Sequence, residues 1–191
     1  IGNAGNDTLN GGEGNDVIIG GEGDDFIIPG TGDNIYDGGI GFDTVDYTAT
    51  NGAIDIDVDS GIVTRINGVD TFAVGSIDAF LLSPNNAFVQ MSANRMLNDG
   101  LIFDGSLSTS DTVSYELIND GLGINIDLSI MVAQDTTPGL GTSFQTFIDF
   151  DNVIGTDFDD SITGSNTENI ITAGSGNDTI DGKAGVDTLI V

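Results

Sequence analysis

The chain repeats itself every nine residues, and that period constrains its fold more than any other property. Glycine or a substitute opens phrases at 2, 11, 20, 29 and 38: GNAGNDTLN, GGEGNDVII, GGEGDDFII, PGTGDNIYD and GGIGFDTVD, with nothing inserted between them. The register returns with openings at 155, 164, 173 and 182, giving GTDFDDSIT, GSNTENIIT, AGSGNDTID and GKAGVDTLI. TFIDFDNVI at 146–154 fits the same frame weakly. Glycines at the first, second and fourth places permit positive φ and a tight turn. The sixth place carries Asp7, Asp16, Asp25, Asn34 and Asp43, then Asp160, Asn169, Asp178 and Asp187. The eighth carries Leu9, Ile18, Ile27, Tyr36 and Val45, then Ile162, Ile171, Ile180 and Leu189. Each phrase is a turn ending in a carboxylate or amide, followed by a very short strand with one inward apolar residue. Such a strand cannot bury its own face, so the copies must stack to build a core.

The phrase G-G-x-G-x-D-x-U-x, with U apolar, resembles the repeats-in-toxin (RTX) family. That resemblance implies an all-β fold: a right-handed parallel β-roll, or β-solenoid, with Ca²⁺ held in the turns. Two nonapeptides would make one coil, so turns eighteen residues apart would share an edge. Asp7, Asp25 and Asp43 would then line one edge, and Asp16 and Asn34 the other. In the second block Asp160 would stack with Asp178, opposite an edge of Asp151, Asn169 and Asp187. Turn carbonyls, among them those of Gly11, Gly14, Gly20 and Gly23, would complete the ligand sets. Asn34 and Asn169 are neutral, and Pro29 and Ala173 replace opening glycines. Sites sharing those amides should be weaker, because affinity follows ligand charge and rigidity.

Composition points the same way. There are 31 acidic residues against three basic ones, a net charge of −28, and only Glu13, Glu22, Glu116 and Glu168 are glutamate. An aspartate bias alongside 29 glycines suits turn-borne oxygen ligands. Halophilic adaptation also acidifies surfaces but would not repeat aspartate every ninth residue. A chain 38% hydrophobic is too apolar for a disordered acidic tail. Nucleic acid is an unsuitable partner for a chain without a basic patch, and no apolar run is long enough to span a bilayer. Cysteine and histidine are absent. That removes disulfides, thiolate sites and Ser-His or Cys-His catalysis, and leaves hard oxygen donors that favour Ca²⁺. Carboxylate pairs such as Asp24/Asp25 and Asp159/Asp160 are better read as ligands than as glycosidase machinery, since one of each pair sits at the sixth place. The chain is therefore read as non-enzymatic.

Three regions follow: nonapeptide blocks at 1–46 and 146–191, and a less regular middle at 47–145. The middle holds a longer repeat, with FDTVDYTATNGAIDIDV (42–58) resembling SDTVSYELINDGLGINIDL (110–128). Both end in alternating strands, with Ile54, Ile56 and Val58, then Ile124, Ile126 and Leu128, pointing inward. The expectation is wider, irregular coils in one continuous stack. Tyr47 and Tyr115, at matching places, read as packing residues rather than general bases. Asn86 and Arg95 fall nine apart, as sixth-place residues followed by Phe88 and Leu97 would; a guanidinium at 95 could replace an ion, or 92–97 could be a loop or short helix.

Val17, Ile19 and Ile35, then Phe26 and Ile28, and near the end Ile170, Ile190 and Val191, point outward. They suggest self-assembly, packing against other parts of a parent protein, or cover by the chain's own loops. The chain starts in register without an initiator Met and stops one residue after a phrase, as a piece of a longer repeat protein would. The resemblance implies secretion, typically through a type I system, to the extracellular medium or the bacterial cell surface. The expected function is a structural region that folds on calcium: spacer, adhesin segment, or surface-layer or filament component. The alternative is a folding and secretion module of a secreted hydrolase or polysaccharide epimerase. An ice- or sugar-binding ladder is disfavoured, because Thr8, Thr44, Thr179 and Thr188 are scattered.

Overall fold

The computed structural model describes residues 1–91, 100–137 and 144–191, and these form an all-β stack of mostly parallel strands. Among the described residues no helix is long and apolar enough to cross a membrane.

The nine-residue phrase becomes half a coil. Successive short strands alternate between an 11-stranded sheet and an opposite face made of a 7-stranded and a 3-stranded sheet. Strands eighteen residues apart pair in parallel: Thr8 lies beside Phe26, Val17 beside Ile35, and Phe26 beside Thr44. The eighth-place residues Ile18, Ile27, Tyr36 and Val45 are buried between the faces, as are Ile162 and Ile171. Leu189 is exposed.

The middle interrupts this parallel order twice. After strand Thr44–Asp46 the chain crosses to the 11-stranded sheet at Ile54–Asp57 and turns back through Ile62–Arg65. It turns again into Gly68–Phe72, which pairs in parallel with Ile35–Ile40. The expected wide coils are thus a three-stranded antiparallel meander inserted into a parallel sheet. The second copy of the longer repeat leads into a counterpart on the other face. There Asn125–Asp127 is followed by Gln134–Asp135, antiparallel to Phe144–Ile148. The Asn125 N–H donates to Thr136 O (3.2 Å), joining the meander's first two arms. Ile54, Ile56 and Val58, and Ile124, Ile126 and Leu128, are all buried.

The core of the middle is a ladder of rings. Tyr36 stacks on Phe72 and Phe72 meets Phe80 edge-on; Phe80, Phe103 and Phe147 then stack at 5.5 and 5.8 Å, and Phe150 closes the row. Phe103→Ala removes the central ring from a fully buried position. It should cost about 3–5 kcal/mol, read as a lower urea midpoint in saturating calcium. A loss under about 1 kcal/mol would show that the ladder does not carry the middle's stability.

The frame expected around Asn86 is off by one residue. Asn86 is exposed and Phe88 half-buried, whereas Val89 is buried and Ala87 takes the place of a sixth-place residue, its N–H donating to Asp111 Oδ1 (2.6 Å). Arg95, Leu97 and the segment 92–97 lie outside the described residues. Val17, Ile35, Ile170 and Ile190 are exposed, while Phe26 and Ile28 are half-buried. Ile28 lines a groove with Ala49, Thr50 and Asn51 from the chain's own loop.

Candidate metal centres in the turns

Each stacked turn is tied to the next by its sixth-place side chain. The Asp7 N–H donates to Asp25 Oδ1 (2.9 Å), Asp25 N–H to Asp43 Oδ1 (2.9 Å), and Asp43 N–H to Asp78 Oδ2 (2.8 Å). Asp16 N–H donates to Asn34 Oδ1 and Asn34 N–H to Asp70 Oδ1, both at 3.0 Å. The structure therefore brings Asp7, Asp25 and Asp43 onto one edge and Asp16 and Asn34 onto the other, and extends the edges with Asp78 and Asp70.

At Asp25 and Asp43 only Oδ1 is used this way. Oδ2 of Asp7, Asp16, Asp25 and Asp43 is buried with no hydrogen-bond partner. Each orphan faces the opening glycine of its own turn. A Cβ on Gly20 would lie 2.2 Å from Asp25 Oδ2 and 2.3 Å from Gly38 O; one on Gly2 would meet Asp7 Oδ2 and Gly20 O, and one on Gly11 would meet Pro29 O and Asp16 Oδ2. Glycine opens the phrase because a carboxylate oxygen and a carbonyl from the next coil take the space of a side chain. Gly14 and Gly23, at the fourth place, have φ of 109° and 121°, and their carbonyls face Gly32 and Gly41 one coil on.

An orphaned carboxylate oxygen beside inward carbonyls is a donor set for a hard cation, and Ca²⁺, which takes several oxygens in flexible geometry, fits it. Among the described residues no three acidic side chains converge on one point, so carbonyls must supply much of each ligand set. Burial raises the Asp43 carboxyl above the ordinary carboxylate range; the Asp25 N–H opposes this, and the charges of Asp25, Asp78 and Asp24 add to it. A bound cation would relieve both the burial and the repulsion.

Asp70 differs. Its Oδ2 accepts Arg65 Nε (2.9 Å) and the Tyr47 hydroxyl (2.7 Å), while Oδ1 accepts Arg65 Nη2 and Asn34 Nδ2. Arg65 also donates to Gly30 O (2.9 Å) and Gly32 O (2.8 Å) of the turn below. Burial works against the guanidinium charge, but the Asp70 carboxylate outweighs it and raises the Arg65 pKa.

The second block is more self-sufficient. Asp160 N–H donates to Asp178 Oδ1 (2.9 Å). Both oxygens of Asp160 are used, by the N–H groups of Ile124 and Thr156 and the Thr156 hydroxyl. Burial raises its pKa, against these bonds. On the opposite edge Asn169 N–H donates to Asp187 Oδ1 (3.1 Å) and Asn169 Nδ2 to Asp151 O (2.6 Å), leaving Asn169 Oδ1 buried and unpartnered. Asp111, fully buried, donates its N–H to Asp151 Oδ2 (3.3 Å). Burial pushes its carboxyl up to about 6, reinforced by the Asp151 charge and opposed by bonds from Ala87 and Ser108.

Asp70, Asp78 and Asp111 are absent from the sequence-derived set, although each begins the same D-x-U triad: Asp70-Thr-Phe72, Asp78-Ala-Phe80 and Asp111-Thr-Val113. The triad survives where the glycines do not. RINGVDTFA (65–73) is even in the nine-residue frame of the first block, with Arg65 in the place of the opening glycine. The fifth place forms a second ladder, Asp24 N–H to Asn6 Oδ1 and Phe42 N–H to Asp24 Oδ1. Other aspartates are ordinary turn formers: Asp46, Asp104, Asp127 and Asp135 each accept the N–H two residues on.

Residues 1–36 and 154–189 match the family model of the RTX calcium-binding nonapeptide repeat, in four copies. No curated protein matches the chain.

Proposed function

The chain carries RTX calcium-binding nonapeptide repeats at both ends, and from that premise we propose that it is an extracellular structural region whose terminal blocks fold when calcium fills their turns. The observation that carries this reading is the row of orphaned Oδ2 atoms on Asp7, Asp16, Asp25 and Asp43, each beside a carbonyl of the next coil. Bound calcium would supply the positive charge that these stacked oxygens lack. Asp7, Asp25 and Asp43 hold the strongest sites, with Asp16 and Asn34 opposite. In the second block Asp151, Asn169 and Asp187 line one edge and Asp160 and Asp178 the other. Extracellular calcium modules work at Kd on the order of 10⁻⁴–10⁻³ M, so such turns are empty in the cytosol and filled outside. Binding free energy then becomes folding free energy. The role is that of a spacer, adhesin segment, or surface-layer or filament component at a bacterial surface. A folding module of a secreted hydrolase or epimerase is the second reading, favoured if a catalytic domain shares the chain.

The test is far-UV circular dichroism of the chain titrated with CaCl₂, with MgCl₂ as control and EDTA for reversal. The β signal should grow cooperatively with Ca²⁺ and not with Mg²⁺, from a partial value set by the aromatic-filled middle. A full β signal in EDTA would reduce the aspartates to turn formers.

A further inference from the structure

We propose that Arg65 is a resident cation: its guanidinium fills a calcium seat between the turn at 29–34 and Asp70, making that turn independent of the metal. The inference rests on the calcium reading of the neighbouring turns and adds an assignment that the family pattern does not contain.

Three observations meet at this residue. First, Arg65 stands five residues before Asp70, as Gly20 stands before Asp25 and Gly38 before Asp43. At those turns the equivalent space is ringed by an orphaned Oδ2 and a carbonyl oxygen. Second, the Asp70 oxygen matching those orphans is not orphaned, because Arg65 Nε and the Tyr47 hydroxyl donate to it. Third, the guanidinium gathers the oxygens a hard cation would take. It binds Gly30 O and Gly32 O, the second- and fourth-place carbonyls of one turn, and both oxygens of the carboxylate stacked on it. Its side chain and that of Asp70 are 3% and 0% exposed, so solvent does not share the site. Tyr47, whose ring lies 5.8 Å from the guanidinium carbon, walls it on one side. A planar, permanently charged fork suits this position better than an ammonium, since it reaches a carboxylate and two carbonyls at once.

The consequence is a turn with its counter-charge built into the chain. The stack then has one coil that closes before any calcium arrives, beside the Asp16–Asn34 site that the neutral Asn34 weakens.

The experiment uses the whole chain in three forms: wild type, Arg65→Ala, and Arg65→Ala with Asp70→Asn. Bound calcium is counted at saturation by equilibrium dialysis, and thermal midpoints are read in EDTA and in excess CaCl₂. Arg65→Ala should bind one more calcium ion than wild type. Its midpoint should fall by on the order of 10 °C in EDTA, because a buried carboxylate loses its partner, and largely recover in CaCl₂. The double variant should bind no extra ion and show no such recovery. An unchanged count in Arg65→Ala, equal destabilisation with and without calcium, or failure to fold at any calcium concentration overturns the proposal. Wild type that binds no calcium would instead refute the reading of the repeats. The difference between Arg65→Ala and wild type concerns the Arg65 seat alone.

Discussion

In EDTA, hydrogen exchange should divide the chain into two zones. Amides in residues 1–28 and 164–191 should exchange at nearly unfolded rates, while those in Ile35–Ile40, Ala79–Leu81, Ile102–Asp104 and Thr112–Ser114 stay protected. Protection factors should differ by on the order of 10³ or more. The outer coils are glycine-rich and stack carboxylates on carboxylates, and they bury less apolar surface, Leu189 being exposed. Each costs backbone entropy and repulsion that apolar burial there does not offset. The inner coils differ at the positions that matter. Beside Asp70, Asp78 and Asp111 their edges carry Ala87, Leu101, Ile124 and Gln145 in place of further acids, all buried. The ring ladder runs behind them, Arg65 closes one boundary turn, and Asp160, with both oxygens satisfied, closes the other. Adding CaCl₂ should bring the outer coils up to the protection of the inner ones. Uniform protection in EDTA would mean that the outer coils fold without metal; uniform exchange would mean that the middle is no nucleus.

Without calcium, stability should also fall as pH rises from about 4 to about 6. Asp111 sets this window, its folded value being pushed to about 6, and Asp43 and Asp160 are raised in the same direction. A carboxyl that holds its proton more tightly when folded stabilises the fold below its unfolded pKa. That stability is lost as pH climbs through the folded value. For Asp111 the loss is about 3 kcal/mol at most. Most proteins become less stable on acidification over this range, so the sign is diagnostic. Calcium should oppose the trend at Asp43, because cation and proton compete for its unpartnered Oδ2. Asp111→Asn, which keeps an acceptor for the Ala87 N–H, should flatten the EDTA profile measured by urea denaturation at each pH. A profile that rises with pH in EDTA, or that Asp111→Asn leaves unchanged, would remove these carboxyls as the cause.

The sequence made the outer coils legible and hid the inner ones, for a physical reason. A nonapeptide writes its turn, carboxylate and strand locally, so the period reveals the pairing of Asp7 with Asp25 or Asn169 with Asp187. The meanders are set by non-local pairing: Gly68–Phe72 stacks on a strand ended nearly thirty residues earlier, and no spacing announces that. Asp70 and Asp78 were hidden for the same reason, since their partners lie 36 and 35 residues away instead of 18. Asn86 looked like a sixth-place residue because counting by nine cannot see a one-residue shift. Arg95, the arginine that the nine-residue count singles out, lies outside the described residues, and Arg65 makes the carboxylate and carbonyl contacts of a cation.

The two meanders bear on the straightness of the molecule. Each adds two strands to one face alone, and neighbouring strands lie about 4.8 Å apart. One meander by itself would lengthen a face by about 10 Å and wedge the stack open like an edge dislocation in a crystal. The second sits on the other face and carries the opposite sense. Apart from the two-residue Asn3–Ala4 strand, the 11-stranded sheet has ten strands, matching the seven and three of the opposite face. The defects annihilate, and beyond Asp160 the turns again face one another at the eighteen-residue interval. The two meanders are thus a compensated pair of faults, and excising the two extra strands of either one alone should leave the far block tilted out of line with the near one.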